Sequence, residues 1–156
     1  MTFYLYHAYI MKAVFAILKR RGKFVTNNTL QLTATNIRYL IAIHKLGGAE
    51  KFVKCTDIAK NLSVTRPSVH AMVKTLSEMN LIEKPHYGKV NFTHYGKETA
   101  QIYIDSYDTV CSFFTGVIPP EVNIDAVVCA FMSQIDANRL KIVCANIRNL
   151  DFTVKQ

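Results

Sequence analysis

Between residues 61 and 80 the apolar side chains fall in a repeating pattern. Val69, Met72, Val73, Leu76 and Met79 recur at the spacing of one helical stripe, so this stretch is expected to bury one face as a helix. Pro67, His70, Ala71, Lys74 and Glu78 rotate to the opposite side, with Arg66, Thr75 and Ser77 on the flanks. Thr65 suits an N-cap, Pro67 a first turn where a missing N–H costs no hydrogen bond, and Asn80 a left-handed stop. Just upstream, "CTDIAKNL" predicts a short helix from Asp57 to Leu62 capped by Thr56, with Ile58, Ala59 and Leu62 inward. Only Ser63 and Val64 separate it from Thr65, which predicts a helix, a tight turn and a second helix.

The pattern changes period after Asn80. Two short runs, Leu81 to Lys84 and Lys89 to Phe92, flank Pro85, His86, Tyr87 and Gly88, as a hairpin requires. A hairpin directly after a helix-turn-helix is a wing. Helical periodicity then returns in "THYGKETAQIYIDSYDTVCSFFTGV", capped by Thr93, carrying Ala100, Ile104, Tyr107, Cys111 and Phe114 inward and closed by Gly116. Pro120 is expected in the first turn of a helix from Val122 to Met132. Ser133, with Asp136 three residues later, is expected to open a last helix to Asn149, with Ile135, Leu140, Val143 and Ile147 inward.

The expected fold class is mainly α with a small β-hairpin wing: a winged helix-turn-helix followed by an α-helical dimerisation region. Its expected division is an N-terminal extension (1–34), a winged helix-turn-helix (35–97) and a helical region (98–156), with Thr26 to Asn36 as linker. In the extension, the apolar run from Phe3 to Leu18 is interrupted by His7 and Lys12 and falls short of the roughly 20 residues a span needs. The basic group Lys19, Arg20, Arg21 and Lys23 follows that run, whereas a secretory signal places its charge before it. An additional amphipathic helix is expected there, with no stable membrane insertion.

Charge sharpens the picture. The chain carries a formal +8, distributed as +6 over residues 1–50 (seven Lys/Arg, one acid), +5 over 51–97 (eight and three) and −3 over 98–156 (four and seven). A basic helix-turn-helix segment beside an acidic C-terminal third agrees with double-stranded DNA as partner. The cysteines at 55, 111, 129 and 144 form no C-x-x-C, and the five histidines show no zinc-site spacing. Each cysteine lies in an apolar run, as for a buried thiol in a reducing cytoplasm. No nucleophile–base pairing, phosphate loop or paired-carboxylate spacing is present, so no enzyme is expected.

The ordered pieces "NIRYLIAIHKLGG", "VKCTDIAKNLSVTRPSVHAMVKTLSEMNLIEK", "YGKVNFTHYGKETA" and "GVIPPEVNIDAVVCAFMS" resemble the DtxR/MntR family of bacterial metalloregulators over Thr35 to Leu150. The resemblance implies that the second helix docks in the major groove, with Thr65 and Pro67 at positions that touch thymine methyls. The expected DNA-binding residues are Thr65, Arg66, Pro67, Ser68, His70, Ala71, Lys74, Lys84, His86 and Lys89. Pro67 and Ala71 can pack on a methyl, His70 can donate to an acceptor, and Arg66 can fork onto guanine. Lys74, Lys84, His86 and Lys89 can meet phosphates.

The resemblance also implies a divalent-metal switch, and here the residues depart from the family. Its first-helix ligand positions read Thr35 and Arg38, its histidine is replaced by Tyr107 beside Asp108, and its last ligand run reads Ala126, Cys129, Ala130 or, one residue over, Val127, Ala130, Phe131. Such a set lacks the close N, O and S donors that first-row metals need. No cofactor is therefore expected, the alternative being Mn2+ or Fe2+ at an unrecognised site. The expected function is a sequence-specific, cytoplasmic transcriptional regulator, most simply a repressor acting as a homodimer on a palindrome, with metal control weakened or lost. The alternatives are a MarR-like regulator answering to a small ligand or to thiol oxidation at Cys111 or Cys129, and a winged-helix protein-interaction module.

Overall fold

A computed structural model of the chain describes residues 31–47, 51–83, 88–115 and 118–153. The first helix, α1 (Ala34–Gly47), turns Ile37, Leu40, Ile41 and Ile43 into the core. Its start is fixed by a reciprocal cap: the Asn36 N–H donates to Thr33 Oγ1 at 3.1 Å, and the Thr33 N–H donates to Asn36 Oδ1 at 2.9 Å. Leu32 is buried at 1% exposure, so the chain already packs two residues before α1. The expected linker through Asn36 is thus wrong in its last residues, because the polar run "TATN" builds a cap and Leu32 anchors it. Residues 1–30, which include the expected N-terminal helix, lie outside the described residues.

A strand the sequence pattern did not reveal, β1 (Val53–Lys54), leads directly into α2 (Cys55–Leu62). The helix begins two residues before the expected Asp57. Its N-cap is Lys54, without a side-chain cap, so Thr56 lies inside the helix instead of capping it. Ser63 takes a left-handed φ of 54° to make the turn, and α3 (Arg66–Glu78) follows, capped by Thr65, whose hydroxyl accepts from the Ser68 N–H at 3.3 Å. Val69, Val73 and Leu76 are buried and Met72 and Met79 half-buried, as the stripe predicts. Asn80, at φ 57°, supplies the left-handed stop.

The wing consists of β2 (Ile82–Glu83) and β3 (Lys89–Phe92), and β1 joins it to give a three-stranded antiparallel sheet in the order β1-β3-β2. The register pairs Ile82 with Phe92 and Val53 with Val90, four side chains that are all buried on the core side. Gly88 holds a φ of +71° at the end of the wing turn and accepts from the Cys55 N–H at 2.8 Å through its carbonyl. The turn residues 84–87 lie outside the described residues.

The long helix α4 (His94–Thr115) is capped by Thr93, whose hydroxyl accepts from the Gly96 N–H at 2.8 Å and donates to the Asn80 carbonyl at 2.6 Å. It packs against α5 (Ile124–Ser133) and α6 (Ala137–Thr153), while α5 also packs on α1. Two expected starts are corrected. Asn123 caps α5 through a bond from the Ala126 N–H, leaving Pro120 in the preceding turn. Asp136 alone caps α6, accepting from Asn138 and Arg139, while Ser133 closes α5. An Asp can accept from two N–H groups at once, so a Ser three residues earlier is not needed. The Gly116 stop lies outside the described residues.

The junction between wing and α4 is tight. A Cβ built on Gly96 would collide with the Leu81 carbonyl, where the chain leaves α3. Gly96→Ala is therefore expected to destabilise the protein by about 2 kcal/mol or more, because backbone must move to admit the methyl. Chemical denaturation of variant and parent would show an unchanged midpoint if that approach were loose.

Candidate nucleic-acid interface

Burial of one stripe decides what α3 shows to solvent. Thr65, Arg66, Pro67, Ser68, His70, Ala71 and Lys74 are all exposed, on one continuous surface that begins at the N-terminal end of the helix. Thr65 and Ser68 share a hydroxyl contact at 2.8 Å, which engages the Thr65 oxygen in the cap. Lys74 Nζ lies 3.9 Å from Glu78, but both side chains are largely exposed, so the pair is weak and its lysine easily exchanged to another anion. Lys89, at the start of β3, is exposed as well. Lys84 and His86 fall outside the described residues.

The helix is held from behind by α1. Asn36, buried at 4% exposure, donates through Nδ2 to Met72 Sδ at 3.2 Å. Arg38 donates through Nη2 to the Leu62 carbonyl at 3.3 Å, at the last residue of α2. A guanidinium on a helix's final carbonyls is electrostatically favourable, and here it steadies the turn that leads into α3.

A second feature lies away from that surface. Arg38, Ile41, Ala42 and Lys45 of α1, Asn61 and Leu62 of α2, Tyr107 of α4, and Asp125 and Cys129 of α5 line a cavity of about 100 Å³. The Tyr107 hydroxyl donates to the Asp125 carboxylate, and Lys45 Nζ sits 4.8 Å from the centre of the Tyr107 ring. Three of the positions checked as metal ligands, Arg38, Tyr107 and Cys129, do converge here. Thr35 is exposed on α1 and Asp108 lines a separate groove with Lys141 and Arg148; Ala126 and Ala130 are exposed and Phe131 is in the core. The donor set does not suit a divalent cation: among the described residues no three His, Cys, Asp or Glu side chains group together, and two cations share the space with Asp125 and Cys129.

Lys45 and Asp125 were not singled out in the sequence. The signal was present, since Arg38, Ala42 and Lys45 lie at i, i+4 and i+7 on one helical face, and Asp125 precedes Cys129 by four.

The geometry is that of a winged helix-turn-helix: two helices joined by a tight turn, the second exposed along its outer face, and an antiparallel wing behind it. Residues 31–90 match the family model for the iron-dependent repressor, N-terminal DNA-binding domain. That segment is thus similar to the DNA-binding domain of a family of transcriptional regulators. Among solved structures it is similar to the IdeR of T. acidophilum, at 20% identity and a TM-score of 0.52, covering 80% of this chain and 55% of that one. The chain thus spans about half the length of that protein. It is also similar to a single-residue mutant of Lactococcus lactis ZitR, at 12% identity and a TM-score of 0.52, covering 99% of each chain. No curated protein is significantly similar in sequence. At these identities the structural likenesses speak for the fold. Among the described residues no helix is long and apolar enough to cross a membrane.

The thiols considered for redox sensing sit differently. Cys129 is buried at 3% exposure, and burial first, then the charge of Asp125, pushes its thiol up to about 11, with Arg38 and Lys45 pulling weakly the other way. A neutral, buried thiol is a poor target for oxidants, whereas Cys111 is half-buried. At pH 8, iodoacetamide is expected to label Cys111 well ahead of Cys129, read by peptide mass mapping; equal rates would mean that α5 opens readily. Since the fold favours the protonated thiol of Cys129, its contribution is complete below the ordinary thiol value of 9.0 and is lost as pH rises towards 11. Cys129→Ala should therefore lose less stability than the parent across that window.

Proposed function

We propose that this protein is a sequence-specific, double-stranded-DNA-binding transcriptional regulator that lays α3 in the major groove. The single observation that carries the reading is the exposed surface of Thr65, Arg66, Pro67, Ser68, His70, Ala71 and Lys74, supported from behind by the buried Val69, Val73 and Leu76. Arg66 is placed to fork onto guanine, Pro67, Ala71 and the Thr65 methyl to pack on thymine, and His70 to donate to an acceptor. Lys74 and the wing residues Lys84, His86 and Lys89 meet phosphates.

The finer reading is a cytoplasmic repressor that acts as a homodimer on a palindromic operator. Helices α4, α5 and α6 supply the dimer, which is supported by the exposed Ile142 of α6 and by Val122 just ahead of α5. Two copies of α3 then lie about one DNA turn apart, roughly 34 Å. Metal control of the family's kind is weakened or lost, in keeping with Arg38 at a ligand position and Lys45 beside it.

Operator selection from random DNA followed by anisotropy titration tests this. Binding to the selected palindrome should weaken steeply with salt and keep a preference over random DNA, and Lys74→Ala should reduce the log–log salt slope by about one. Arg66→Ala should cost about 1 to 3 kcal/mol on the selected site and relax preference at one base pair. A protein that selects no sequence and shows no salt slope is an interaction module instead.

A further inference from the structure

The cavity between α1, α2, α4 and α5 is built for the opposite charge from the one its position in the family implies. Arg38 and Lys45 bring two positive charges to it and Asp125 one negative, a net of +1 on its wall. Neither cation is in an ion pair within 4.0 Å among the described residues, although Asp125 borders the same space. Asp125 is engaged by the Tyr107 hydroxyl, and Lys45 rests on the face of the same ring. Arg38 spends one N–H on the Leu62 carbonyl, and a guanidinium has five. Donors are in excess here, and acceptors are scarce.

We infer that this cavity binds a small oxyanion, of carboxylate or inorganic phosphate or sulfate size, held chiefly by Arg38 with Lys45 as second cation. A planar carboxylate or a tetrahedral oxyanion matches the fork of a guanidinium. The pocket is open to solvent, with Arg38, Lys45 and Asp125 all exposed at its wall, and its about 100 Å³ is room for a few-atom anion to be held between the two cations. The site also touches the DNA-reading unit. Arg38 holds the last carbonyl of α2, one residue before the left-handed Ser63 and three before the Thr65 cap, so an anion that recruits Arg38 acts directly on the turn that aims α3. The inference therefore deepens the regulatory reading by giving it an effector class, and rests on it only for the consequence, not for the binding.

The test is thermal denaturation of the full chain in sodium acetate, sodium phosphate, sodium sulfate or manganese chloride, each against sodium chloride at matched ionic strength. At ten times its dissociation constant the bound anion should raise Tm by roughly 3 to 5 °C, saturably. The acetate and the phosphate or sulfate arms separate the organic from the inorganic source. Arg38→Gln should abolish the shift and Lys45→Gln reduce it, with circular dichroism confirming that both variants fold. Asp125→Asn gives the decisive sign: removal of its negative charge should tighten an anion several-fold, whereas it would weaken a cation. No saturable shift with any of the three anions, a shift that survives in Arg38→Gln, or a manganese shift lost in Asp125→Asn each overturns the inference. Palindrome binding measured on the same samples keeps the two readings apart, since intact operator binding without an anion response sinks this inference alone.

Discussion

Everything this chain can present to a partner follows from the burial of one seam. Val69, Val73 and Leu76 lie at 0%, 3% and 0% exposure against a core that includes Ile37, Leu40 and Ile58, so the rotation of α3 about its own axis is fixed by the hydrophobic effect. Burying three such side chains contributes on the order of 5 kcal/mol, and turning the helix by half a revolution would forfeit it. The polar face points outward because the apolar one has nowhere else to go. The caps at Thr65 and Asn80 add only a little energy, but they set where that rotation starts and stops.

Around the seam, short-range polar contacts convert a packed helix into an aimed one. Asn36 reaches Met72, Arg38 holds the end of α2, and Thr93 links the Asn80 carbonyl to the first turn of α4. The first two tie the helix-turn-helix to α1, and the third ties it to α4. Thr33, Thr65, Thr93, Asn123 and Asp136 all end their capping residues in an oxygen acceptor, so five helix starts are defined by local chemistry that owes nothing to the core.

Much of this was legible in the sequence, and for identifiable reasons. The stripe in α3 and the Thr65, Pro67 and Asn80 punctuation are local signals, and they predicted both the helix and the face it turns outward. The wing was legible because Pro85 and Gly88 bracket a change of period. The strand β1 was not: at two residues it has no periodicity, and only its pairing with Val90 and Lys89, far along the chain, makes it a strand. The starts of α5 and α6 were misplaced because Pro120 and Ser133 are plausible first-turn and capping residues, and Asn123 and Asp136 competed successfully. The cavity was half visible. Arg38, Tyr107 and Cys129 were identified by their place in a family pattern, whereas Lys45 and Asp125 belong to no such pattern and emerge only when four helices are brought together.

The absence of a side chain at Gly96 lets the first turn of α4 lean directly on the backbone leaving α3. Such a joint has no soft material in it: no rotamer can flip and no methylene can yield between the two segments. A displacement of α4 would thus reach α3 as a rigid lever reaches its load, without being absorbed at the fulcrum. For the regulator proposed above, this means that whatever biases the C-terminal helices steers α3 with little slack.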